Sequence, residues 1–212
     1  DEQLLGKPWY YRIYAVLGVD RFARNARAAE EILAARESDE PLLAVNVPIV
    51  RLEQGRLEDA RAFLTQREYR DIPSWNVFEA LVLTSGLVPP DPTRMEILAD
   101  RLETIDPAAL LSSFWLPPYE DMTPEFSAFV LDYYRALLLI HLDRIPEARA
   151  ILDDMALHED LVGLGTMKRD AELILESEIL VREGLLTDAL AVLRSVEYQV
   201  PHAITTVPIG DQ

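Results

Sequence analysis

Cysteine is absent from the 212 residues, histidine occurs three times and lysine only twice, and each shortage removes a class of chemistry. Without cysteine there is no disulfide framework, no thiolate nucleophile and no Cys-ligated zinc or iron–sulfur centre. Positive charge is scarce as well. Twenty basic residues face 37 acidic ones, a formal charge of −17. A phosphate backbone is recognised chiefly through Lys and Arg, so nucleic acid and anionic membrane surfaces are poor partners. The two lysines, Lys7 and Lys168, leave an Arg bias that genome composition explains better than function does. Long apolar runs are missing too: none approaches the roughly 20 residues needed to cross a bilayer, so no direct membrane insertion is expected. A soluble chain follows as the expectation, cytoplasmic slightly favoured and extracytoplasmic still open. No signal peptide is visible, and Asp1 in place of Met reads as a chain processed or cut from something longer.

What the sequence does contain is a phrase of ten residues that returns three times. The copies are GRLEDARAFL at 55–64, DRIPEARAIL at 143–152 and GLLTDALAVL at 184–193. Each has a turn residue, an aliphatic two places on, an acidic residue, then Ala-x-Ala and two large apolar residues. The aliphatic, the first Ala and the final Leu fall at i, i+3 and i+7, one face of a helix. A unit of this kind cannot bury its apolar face alone and has to stack on neighbours. With half the residues hydrophobic and 27% charged, the composition is that of a globular domain rather than a disordered segment.

Along the chain, WYYRIYAVL at 9–17 and the stretch 21–36 read as helices broken at Gly18, and a third helix is expected from Pro41 to Gln54, disturbed by Pro48. Leu57 to Thr65 is its partner. Ser74 is expected to cap a helix ended by Gly86, Asp91-Pro92 to open one reaching Ile105, and Asp106-Pro107 a short one to about Phe114. Thr123-Pro124 opens the longest helix, with an apolar stripe of Phe126, Phe129, Val130, Tyr133, Leu137 and Ile140. Ile145 to Leu157 pairs with it. The last pair runs from about Met167 to Arg182, with an inner face of Leu173, Ser177, Leu180 and Val181, and from Leu186 to Val196. The tail 198–212 reads as extended or linker. No alternating run survives as a strand, so the fold class is all-α.

These residues resemble the tetratricopeptide (TPR) family, whose repeats are antiparallel helix hairpins stacked into a superhelix. Gly55/Ala60, Asp143/Ala148 and Gly184/Ala189 match the family's turn residue and the small Ala early in the second helix. Ala26 lies one family period of 34 residues upstream of Ala60. The chain also departs from the pattern: the three Ala positions are 88 and 41 residues apart, and the family's Trp and Gly in the first helix are replaced by Ala44 and Pro48, Asp132 and Ala136, and Leu173 and Ser177. A degenerate repeat fits 74–86 with 92–105. The resemblance implies an α/α superhelix of stacked antiparallel hairpins over 1–197, irregular across about 74–121. A generic α/α repeat of another kind remains open.

Candidate sites are few. His141 ends the long helix, where its charge can meet the helix dipole. His158-Glu159-Asp160 has no second His four residues away and reads as a solvated turn; His202 lies in the tail without context. Gly163-Leu-Gly165 lacks the third glycine and the preceding strand of a dinucleotide fingerprint, and no serine sits in a Gly-x-Ser-x-Gly setting. No catalytic, cofactor or metal residue is assigned. Two surfaces remain. Trp9, Tyr10, Tyr11 and Tyr14 crowd four aromatics into six positions, part of them core, with Trp9 and Tyr11 available as partner anchors. The TPR resemblance implies a concave groove lined by first helices, drawing on Val130, Tyr133, Leu137 and His141 in one repeat and Ile174, Glu178, Val181 and Arg182 in the next. Such a lining suits a helix or extended peptide.

The expectation is therefore a non-enzymatic scaffold or assembly module, without cofactor, that binds another protein or another part of its own polypeptide. The alternative is a sensor or regulatory domain of a larger bacterial kinase or transcription regulator. An enzyme with a carboxylate-based site is the weaker reading, because 37 carboxylates on a repeat protein mostly decorate solvated faces and no acid–base pair stands out.

Overall fold

The structure is a computed structural model and describes residue 51 and residues 54–64, 71–86, 88–113, 123–157 and 167–196. Every regular element among them is an α-helix: α1 (Leu57–Leu64), α2 (Pro73–Thr84), α3 (Pro92–Thr104), α4 (Pro107–Ser113), α5 (Pro124–His141), α6 (Ile145–Leu157), α7 (Met167–Arg182) and α8 (Leu186–Leu193). The expected all-α class holds across these residues. The helices expected before residue 51, the tail from 198, and the segment with His158 and Gly163 lie outside them.

Proline and an Asx or Thr cap start three helices, as the sequence implies. Asp91 Oδ1 accepts from the Arg94 N–H at 3.1 Å ahead of Pro92. Asp106 Oδ1 accepts from Ala108 N–H at 3.0 Å ahead of Pro107. Thr123 Oγ1 accepts from Phe126 N–H at 3.3 Å ahead of Pro124. Each cap satisfies a donor that the first turn leaves without an intrahelical partner, while proline gives up only an N–H that has none. Ser74 is different. The expected cap sits inside α2, which begins one residue earlier at Pro73; Ser74 N–H donates to Ser113 Oγ at 3.0 Å and Ser74 Oγ donates to the Ser113 carbonyl at 2.8 Å. The serine ties two segments together instead of starting a helix.

The described residues belong to two compact units, one holding those up to Glu79 together with Ser113, the other those from Ala80 to Ser112 and from Thr123 onward. In the first, Phe63, Trp75 and Phe78 are buried and form a chain of tilted rings with centroids 5.9 and 6.0 Å apart. The Arg51 guanidinium lies 5.5 Å from the Phe63 ring centroid, within cation–π range. In the second, α5 is central: it packs on α3, α6 and α7, while α6 packs on α7 and α7 on α8. That surrounding explains a difference from the sequence reading. The expected single stripe on α5 widens to bury Leu131, Tyr134, Ala136, Leu138 and Leu139 as well, because a helix enclosed by three others has little solvated face left. On α7 the buried line is Ala171, Leu175 and Ile179 with Ser177, whereas Val181, expected to face inward, is 43% exposed.

The three copies of the phrase share one local geometry. Gly55, Asp143 and Gly184 all take the left-handed conformation, with φ of 73°, 61° and 79°. The residue after each donates its N–H back across the turn to the carbonyl five residues earlier: Arg56 to Arg51 at 2.8 Å, Arg144 to Leu139 at 2.9 Å, Leu185 to Leu180 at 2.9 Å. Asp143 and Gly184 add the inner bond to Ile140 and Val181, at 3.1 Å each. The Asp143 and Gly184 turns, with both bonds, are Schellman endings, which satisfy carbonyls at the end of one helix while turning the chain into the next. The carbonyls of Arg56, Arg144 and Leu185 then accept from the phrase's first Ala, and Ala60, Ala148 and Ala189 are buried at 0%, 0% and 2% exposure. A methyl-sized side chain there lets the second helix lie close to its neighbour.

Candidate interaction surface

The groove residues implied by the family resemblance lie on α5 and α7, which pack against each other. Their exposure divides them. Val130 and Leu137 are buried, at 4% and 9%, and belong to the core of the helix stack rather than to an open lining. Tyr133, His141, Ile174 and Glu178 are half-buried, and Val181 and Arg182 are exposed. The accessible strip is therefore more polar than its sequence suggested. Trp9 and Tyr11, the second proposed surface, lie outside the described residues.

Tyr133 is held by its neighbours. Its ring stacks on Phe129, one turn back, with centroids 6.5 Å apart and planes 21° from parallel, and meets Tyr134 edge-on at 5.2 Å. Such pairs fix a ring's orientation and are worth about 0.5–1.5 kcal/mol each beyond burial. A positioned, half-buried tyrosine loses little side-chain freedom when a partner covers it, which is what an anchor residue requires.

At the other end of the strip the last residue of α5 meets the last turn of α7. Burial pushes the His141 imidazole below the usual histidine value, the Arg182 charge pushes it further down, and Glu178 opposes both. The three residues are thus within electrostatic reach of one another. The helix-dipole role expected for His141 needs the imidazolium, and here burial and Arg182 disfavour that form. Neutral imidazole, carboxylate and guanidinium together offer both donors and acceptors to a polar backbone or side chain.

Charges elsewhere brace the stack. Arg149 on α6 grips both carboxylate oxygens of Glu183, in the turn after α7, at 2.7 and 2.8 Å. Arg135 on α5 pairs with Glu103 on α3 at 2.8 Å. Arg56–Asp59 and Arg144–Glu147 occupy equivalent places in the first two copies of the phrase, and each ties the residue after the turn to the first turn of the next helix. The third copy has Leu185 in place of that arginine. The substitution is one sign of a feature not picked out from the sequence: Leu185, Leu186, Leu190 and Leu193 are between 44% and 64% exposed on and beside α8. Replacement of Arg144 and Arg149 by leucine at the corresponding places in copy three is the signal that marks it.

Among the described residues, no group of three or more His, Asp or Glu is placed to hold a metal ion, and no helix is long and apolar enough to cross a membrane. No protein-family model, no curated protein and no solved structure matches the chain.

Proposed function

We propose that the chain is a protein-interaction module of the tetratricopeptide-like kind, a scaffold or assembly element that binds a helix or an extended peptide along the α5–α7 strip. The observation that carries this reading is the recurrence of one helix–turn–helix geometry. A left-handed turn residue, a six-to-one backbone bond and a fully buried Ala recur at Gly55/Ala60, Asp143/Ala148 and Gly184/Ala189. The packing order of α5, α6, α7 and α8 adds support: each hairpin's helices meet each other, and the two first helices also meet. First helices that lie side by side present a continuous surface, and its accessible part includes Tyr133, His141, Ile174, Glu178, Val181 and Arg182. A partner recognised there carries an apolar side chain for Tyr133 and a polar or acidic group for the His141/Arg182 end.

The reading is tested by affinity capture with the wild-type chain, Tyr133→Ala, and Asp153→Ala as an exposed control on α6. Loss of a partner with Tyr133→Ala alone is the expected result. Equal recovery of every partner by all three removes the α5–α7 strip from consideration.

A further inference from the structure

We draw no further inference here: the strongest candidate, the side-chain cluster of buried Lys168 and Asp170 with Glu172 at the start of α7, carries nothing because Lys168 already pairs with Glu172 within the helix and no second observation among the described residues points to a ligand at that helix N-terminus.

Discussion

Replacing Gly184 by alanine isolates the cost of the turn that links α7 to α8. The residue has φ of +79°, in the left-handed region, and a Cβ built there would have no atom within 4 Å. Steric overlap therefore contributes nothing, and what remains is backbone preference. Left-handed conformation costs an ordinary L-residue roughly 1–2 kcal/mol. Alanine recovers about 0.4–1 kcal/mol by restricting the unfolded chain. The net expectation is a loss of about 1 kcal/mol. With a urea slope of about 2 kcal/mol per molar, the unfolding midpoint followed by far-ultraviolet circular dichroism should fall by about 0.5 M with the slope unchanged. Asp143 supplies the internal comparison, because it already holds φ of +61° without being glycine. Asp143→Gly should shift the midpoint less and in the stabilising direction, since aspartate tolerates this region better than alanine but not as well as glycine. A Gly184→Ala midpoint equal to or above that of the wild type would refute the claim that the repeated turn residue is selected by its backbone conformation.

Three further outcomes follow from particular contacts. Ala148→Leu, at a fully buried position, should cost about 1–3 kcal/mol by overpacking, measured by thermal or urea unfolding, whereas Ala150→Leu on the exposed side of α6 should be nearly neutral. The Arg149–Glu183 pair is largely solvated, with side chains 44% and 34% exposed, so a double-mutant cycle with Arg149→Ala and Glu183→Ala should return a coupling of only about 0.2–1 kcal/mol that shrinks in high salt. His141 has its pKa lowered on folding, first by burial and then by Arg182, so the unfolded chain binds the extra proton more readily. Its stabilising contribution is complete above the unfolded value of about 6.5 and is lost as pH falls through that value toward the lower folded one. The urea midpoint of the wild type should therefore drop more steeply than that of His141→Gln between about pH 7 and 5; parallel profiles would contradict the burial of the imidazole.

Much of the local structure could be read from residue order because it is set by neighbours in sequence. Asp91-Pro92, Asp106-Pro107 and Thr123-Pro124 start helices through bonds spanning two or three residues, and these appear where expected. The turn residues Gly55, Asp143 and Gly184 needed no partner beyond the preceding helix to take their conformation. Ser74 escaped the same reading because its hydrogen bonds go to Ser113, 39 residues away, and no local signal encodes that pairing. The α7 face differs from its expected one for a related reason. Of the expected stripe Leu173, Ser177, Leu180 and Val181, Ser177 is buried, but contact with α5, α6 and α8 completes the buried face with Ala171, Leu175 and Ile179 in place of the other three.

The candidate surface divides in the same way. The resemblance to tetratricopeptide repeats implied a groove lining that includes Tyr133, Leu137 and His141 on α5, and Glu178 and Arg182 on α7. Packing then withdrew Leu137 into the core and left Tyr133 half-covered, while the ends of the two helices brought His141, Glu178 and Arg182 into one electrostatic neighbourhood. Sequence by itself determined the helical class of the described segments, the Asp91, Asp106 and Thr123 caps, the repeated turn and the small residue behind it, because each depends on bonds and dihedral preferences within a few residues. Only the tertiary structure decided which side of each helix meets water and which charges share a site, because burial is a property of what several distant segments cover together.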